Sequence, residues 1–225
     1  MPNIAKNYLT TLENVRRIAR DCGRNPDDVR LIAVSKTKPI EYVREAAEAG
    51  AVDFGENRPQ ELALKQTQEP QLRWHQIGTL QRNKVRHVVG KCALIHSVDS
   101  LALALEVDKR AKNAGVVQDV LVQVNISGEE TKSGIAPEEL SGLLSETEKL
   151  ENVNVIGLMT ISAAGFTPEQ NKAVFSRLKE LADEFGLSEL SMGMSHDYAE
   201  AIECGATMVR VGTAIFGERD YGAKA

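Results

Sequence analysis

The chemistry available to this sequence gathers on one lysine near its start and four residues near its end. Leu31-Ile32-Ala33-Val34 is a β-branched apolar run that delivers Ser35 and Lys36 to its C-terminal tip, and Pro39 suits the opening of the next element. An amine at a strand tip ordinarily snorkels into water. Held among apolar walls and other cations, it gives up its proton more readily and can condense with a carbonyl as a Schiff base. Far along the chain, Ser195 stands where it would cap a helix and leave free N–H groups beyond it. Gly212-Thr213 closes the apolar run Met208-Val209-Arg210-Val211, where exposed amides and a hydroxyl can hold phosphate oxygens. Arg210 within that run would lose on the order of several kcal/mol of hydration, so something acceptor-like should face it.

Each residue has a plainer role when taken singly: Ser195 as a cap, Gly212 as a turn, Thr213 as a surface hydroxyl. Together, a Schiff-base amine, an anion cradle and a guanidinium between them describe a site for an aldehyde that bears a phosphate. Pyridoxal 5′-phosphate (PLP) carries both groups.

Elements that could bring these residues together are legible in the pattern. Residues 3–22 carry apolar positions at steps of three and four and form a leading helix. Strand patterns come next, at 31–36, 51–55, 72–77, 93–98, 119–126, 153–161, 189–191 and 207–211. Helical patterns separate them at 40–49, 58–68, 82–89, 101–113, 137–150, 168–185 and 196–204, with Ser97 or Asp99 placed to cap the fourth of these. A short final helix ends the series. Eight strands alternating with helices predict a closed α/β barrel, the (β/α)₈ or TIM architecture, as one domain spanning residues 1–225. An open doubly wound sheet suits the pattern less well, because no Gly-rich turn succeeds the first strand.

The working face of such a barrel lies at the strand C-termini. Lys36, Asn57, His75, Asn125, Ser127, Met159 and Thr160 all fall near strand tips. Asn57 and His75 read equally well as ligand contacts or as hydrogen-bonded interior groups. Met159, Met192 and Met194 read as packing, against a flat ligand in the case of the tip residues.

Composition excludes several functions. With 4% aromatic residues, a net charge of −5 and no long Lys/Arg run, the chain offers nucleic acid or an anionic membrane surface no footprint. Cys22, Cys92 and Cys204 are odd in number and widely spaced, which suggests reduced thiols and neither a disulfide framework nor a zinc site. The N-terminal MPNIAKNYLTTLENV lacks an apolar signal core, and a cytoplasmic location is expected.

The segments AVSKTKP, FGEN, WHQIGTLQRNK, VNISGEETKSGI, GLMTI, GMSHDYAEAI and TMVRVGTAIFG, running in order between about Asn3 and Tyr221, resemble the signature blocks of the YggS/PROSC family of pyridoxal-phosphate homeostasis proteins. The resemblance implies a fold-type III barrel like the N-terminal domain of alanine racemase, with PLP on Lys36. It implies that Arg210 faces the pyridine nitrogen and that Ser195, Gly212 and Thr213 hold the phosphate. Asn57, His75 and Met159 complete the expected set of cofactor contacts. The chain departs from the family pattern at Arg58-Pro59, Gln76 and His196, which touches only the edge of the pocket and its charge. The implied role is to hold, buffer and deliver PLP to apo-enzymes, with downstream effects on amino-acid and keto-acid balance. A monomer is expected, since the racemases' second domain and its dimer surface have no counterpart in this length.

Two enzymatic alternatives stand beside that role. A slow amino-acid racemase would use Lys36 as one base and need a second, yet Tyr8, Tyr42, Tyr198 and Tyr221 fall in predicted helices or the tail. A phosphosugar Schiff-base aldolase would need an acid/base pair beside Lys36, and no carboxylate pair lies at the strand tips. Lys38, Lys84 and Lys132 are read as solvated.

Overall fold

Each of the eight strands lies parallel to the next, and the last returns to pair with the first, closing a barrel in the computed structural model, which describes residues 3–129 and 133–218. The strands are β1 Arg30–Val34, β2 Asp53–Glu56, β3 Arg73–Gln76, β4 Leu94–Val98, β5 Gln118–Gln123, β6 Val153–Met159, β7 Glu189–Ser191 and β8 Met208–Val211. At the closing ladder Ile32 sits opposite Arg210 and Ala33 opposite Val211. The open-sheet alternative is thereby excluded. Parallel neighbours need crossovers, and the chain supplies helices for most of them: α2 Ile40–Glu48, α3 Pro59–Gln68, α4 Leu101–Ala114, α5 Leu140–Thr147, α6 Pro168–Glu184 and α7 Tyr198–Glu203. The leading helix is α1 Ile4–Asp21, and α8 Thr213–Phe216 comes after β8.

Local sequence accounts for most boundaries. Asn3 caps α1 by accepting from the Lys6 N–H at 2.9 Å, and Ile4, Tyr8, Thr11, Val15 and Ala19 form its buried stripe. Thr167, Pro168 and Gln170 open α6 with a capping box. The cap of α4 is Ser100, which accepts from the Leu103 N–H; Ser97 stays on β4 and donates to the Gly78 carbonyl. The helix expected at 82–89 is instead a 3₁₀ turn, Arg82–His87, and a second 3₁₀ turn, Pro137–Glu139, leads into α5.

Two apolar layers result. The larger lies between sheet and helices and includes Phe54, Trp74, Phe175 and Phe216. The smaller fills the barrel itself with Ile32, Leu94, Leu121, Met159 and Met208. The second layer is the floor on which the functional face rests.

Candidate functional site

A cavity of about 420 Å³ opens at the C-terminal ends of the strands, and Lys36, Asn57, Ser195, Arg210, Gly212 and Thr213 all line it. Six of the eight residues expected from the sequence are thus brought together. His75 and Met159 are not in its wall. Both point into the barrel interior: Met159, at the end of β6, packs in the apolar layer, and His75, one residue back from the end of β3, is hydrogen-bonded to Asp53 and His96.

Lys36 owes its position to a turn. β1 ends at Val34, Ser35 still donates its N–H to the Gly55 carbonyl, and the Lys38 N–H closes back onto the Ser35 carbonyl at 3.0 Å. Thr37 takes φ of 64°, a left-handed conformation that costs a β-branched residue on the order of 1–2 kcal/mol. Pro39 caps α2 from just outside it, one residue earlier than the opening position its ring would also suit.

What holds this turn is a buried ionic cluster that no sequence motif announces. Lys65 on α3 is 5% exposed, and its ammonium donates to the Ser35 carbonyl at 2.8 Å, Glu56 Oε1 at 2.8 Å and Glu61 Oε1 at 2.9 Å. Ser35 Oγ donates to the same Glu56 oxygen at 2.7 Å, and Glu61 Oε1 accepts the Thr37 N–H at 2.7 Å. The peptide groups on both sides of Lys36 are therefore fastened to one brace. Burial pushes the Glu56 carboxyl up to about 7, with Lys65 acting in the opposite direction. The available signal was Lys65 itself, spaced three from Leu62 and six from Pro59 on the buried face of α3.

At the other side of the cavity Ser195 lies in a turn ahead of α7 and does not cap it; Asp197 occupies that position. Asp197 is buried, accepts the Met194 N–H at 2.6 Å and receives the Ser162 hydroxyl, which sets the path of the loop carrying Ser195 and His196. At Gly212 a Cβ would come within 3.1 Å of the Val34 carbonyl oxygen, so any side chain there would push the ends of β8 and β1 apart by a few tenths of an ångström. Thr213 then opens α8, whose first N–H groups have no partner within the helix.

Arg210 is 4% exposed and donates to Ser191 Oγ at 2.6 Å and the Thr160 carbonyl at 3.0 Å. These are the acceptors its place on a core strand requires. Burial lowers its pKa to about 10, with Asp197 pulling the other way, so it stays charged at neutral pH.

Other expected residues fall outside the wall or at its rim. Ser127 Oγ donates to Asn125 Oδ1, Asn125 Nδ2 donates to the Glu129 carbonyl, and Met192 is buried in the outer core. Met194, Lys38 and His196 line the cavity, and Lys38 Nζ donates to the Glu218 carbonyl at 2.6 Å. Gln76 is buried and donates to the Asn57 and Gly78 carbonyls. Tyr8, Tyr42 and Tyr198 sit on α1, α2 and α7 and do not reach the wall. Lys84 lies on the 3₁₀ turn, while Lys132 and Tyr221 lie outside the described residues.

Comparison leads to the same class of protein, one built on a closed parallel barrel. The family model described as "Alanine racemase, N-terminal domain" matches residues 10–220. The chain is 45% identical to a pyridoxal phosphate homeostasis protein of Aquifex aeolicus, covering 97% of this chain and 100% of that protein. It is 39% identical to the protein of that name from Escherichia coli K12 over the full length of both. Among solved structures, PipY of Synechococcus elongatus with PLP bound superposes with a TM-score of 0.84 at 39% identity, covering 95% of this chain and 100% of that one. An alanine racemase of Clostridium difficile shares the fold at 18% identity and a TM-score of 0.75, with this chain covering 60% of it. The chain belongs to the alanine racemase N-terminal-domain family and, within it, to the pyridoxal phosphate homeostasis proteins.

Proposed function

We propose that this chain binds PLP covalently through Lys36 and keeps it in reserve for apo-enzymes, acting as a single-domain cytoplasmic monomer without robust catalysis of its own. The observation that carries this reading is the composition of one cavity wall: Lys36, Arg210 and the Ser195, Gly212 and Thr213 cradle face the same space, and no carboxylate lines it among the described residues. That donor set fits a phosphorylated aldehyde. The close approach at Gly212 leaves backbone amides, rather than a side chain, to meet the phosphate.

Bound there, PLP supplies an aldehyde carbon for the lysine and an aromatic ring able to withdraw electrons. The protein's own residues limit the reactivity of that ring. A guanidinium has donors only, so Arg210 leaves the ring nitrogen an acceptor and the ring a weaker electron sink than a carboxylate partner would. Asp197 and Ser162 fix the loop that presents Ser195, and the Lys65 brace fixes the turn that presents Lys36. Cys22, Cys92 and Cys204 are free thiols, as a reducing compartment keeps them. No described helix is long and apolar enough to cross a membrane.

Racemisation has one specific foothold, since His196 lines the cavity and a second base is what that reaction needs. The decisive test is the visible absorbance of the protein with added PLP, before and after borohydride, beside Lys36→Ala. A yellow band that borohydride fixes on Lys36 and that the variant lacks supports the reading. A protein that stays colourless overturns it. Exchange of the α-proton of L-alanine that depends on both Lys36 and His196 would move the assignment to the racemase.

A further inference from the structure

Beneath the cavity, the barrel interior holds a file of polar side chains that take no place in the cavity wall. Asp53, His75, His96 and Ser191, contributed by β2, β3, β4 and β7, are all buried. They form an unbroken line across the barrel to Arg210 on β8. Asp53 Oδ1 lies 2.9 Å from His75 Nε2, His75 Nδ1 lies 3.0 Å from His96 Nε2, and His96 Nδ1 lies 2.8 Å from Ser191 Oγ, which accepts from Arg210. Beyond Asp53, its second oxygen accepts from Arg73 Nη2 at 2.6 Å.

The two ends dictate every proton between them. Arg210 can only donate, and the ionised Asp53 can only accept. Burial is the largest influence on both rings and favours their neutral forms; at His75 the contact with Asp53 opposes it and Arg30 and Arg73 reinforce it, and at His96 the neighbouring His75 and then Arg210 and Arg30 reinforce it. With one proton on each ring, a single arrangement satisfies all four contacts. Arg210 donates to Ser191, Ser191 to His96 Nδ1, His96 Nε2–H to His75 Nδ1, and His75 Nε2–H to Asp53. The opposite arrangement would set a bare ring nitrogen against a carboxylate oxygen.

We infer that this line is a positioning device for Arg210. Asp53, His75, His96 and Ser191 give the guanidinium, whose direct partners are neutral, a remote counter-charge through four aligned hydrogen bonds, and so set how firmly it grips the ring nitrogen of the bound cofactor. This rests on the reading of the cavity as a PLP site. Asp53→Asn removes the acceptor-only end and lets the line reverse. Ser191 must then accept from both His96 and Arg210, and Arg210 holds its place less well.

The first experiment needs no cofactor. Nitrogen-15 NMR of histidine-labelled apo-protein reports which ring nitrogen carries the proton. Both His75 and His96 should be neutral with the proton on Nε2, and both should move toward Nδ1 in Asp53→Asn. Doubly protonated rings at neutral pH, or tautomers unchanged by Asp53→Asn, overturn the inference. The second measures PLP dissociation and the visible band. Asp53→Asn and Ser191→Ala should each weaken binding by about tenfold and shift the band, and neither should add to the loss in Arg210→Gln. Ser191→Ala also guards against a misfolded Asp53→Asn, since it breaks the link to Arg210 while leaving the His75 contact to Asp53. Binding by both variants equal to the unaltered protein sinks this inference alone. Failure of the unaltered protein to bind PLP sinks the cavity reading, while the tautomers are still read separately.

Discussion

The two ends of the barrel invite comparison because both are polar and both are hollow. At the strand N-termini a cavity of about 570 Å³ is lined by Arg24, Arg30, Lys179, Asp27, Asp183 and Glu189, among others. Its cations are spoken for: Arg30 pairs with Glu189, Lys179 with Asp183, and Arg24 donates to the Ile202 carbonyl. At the strand C-termini the smaller cavity presents Lys36, Lys38 and Arg210 with no carboxylate in its wall among the described residues. Volume therefore misleads. What separates the two walls is the company their cations keep: carboxylates stand among them at the strand N-termini and, among the described residues, not at the strand C-termini.

That contrast can be broken most severely just behind Lys36. Lys65→Met leaves the Glu56 carboxyl buried without its cation and should cost about 3 kcal/mol in urea unfolding, the lower end for a broken buried pair because Glu56 can take up a proton. Adding Glu56→Gln should recover much of the loss; if the double variant is no more stable than Lys65→Met, the brace is misassigned.

A second effect appears in the pH dependence of stability, and the two ends have opposite signs. The folded Glu56 carboxyl keeps its proton up to about 7 against an ordinary 4.5, so its contribution falls as pH rises through that window, by on the order of 2–3 kcal/mol. Asp53 is raised by burial, but the hydrogen bonds from His75 and Arg73 outweigh this and hold it below its ordinary 3.8. Its stabilisation is present at neutral pH and is lost as pH falls through the lowered folded value. Unfolding of Glu56→Gln at about pH 5 and about pH 8 should differ less than in the unaltered protein.

Gly212→Ala tests the mouth alone. Its Cβ would press on the Val34 carbonyl and crowd the cradle, and PLP affinity should drop about tenfold, or about 1.4 kcal/mol, with little change in unfolding. Least of all should happen at the far end. Arg30→Gln at the partly exposed pair with Glu189 should change stability by less than about 1 kcal/mol and PLP affinity by less than about twofold. A large loss of affinity there would erase the distinction between the two faces.

The fold was legible because periodicity switches cleanly between strand and helix along the chain, and because strand tips in a barrel share one face. Lys36, Arg210 and Gly212-Thr213 could be placed from those tips alone. The Lys65 brace was not, since Glu61 and Lys65 four apart on a helix look like an ordinary surface pair until α3 is packed against β2 and β3. Nor could the role of His75 be read, because its partners Asp53 and His96 come from two other strands whose register only the closed barrel fixes. Ser195 failed as a cap for a local reason: Asp197 takes the cap position and binds the Met194 N–H first.

The closing ladder between β1 and β8 places Lys36 beside the Gly212-Thr213 cradle although the two come from opposite ends of the chain. If the two hold PLP as proposed, a nascent or clipped polypeptide that lacks either end has only half of the site. On that proposal occupancy certifies completion: a molecule that retains PLP has already joined its first strand to its last, and by mass action the bound PLP acts as a clasp on that join.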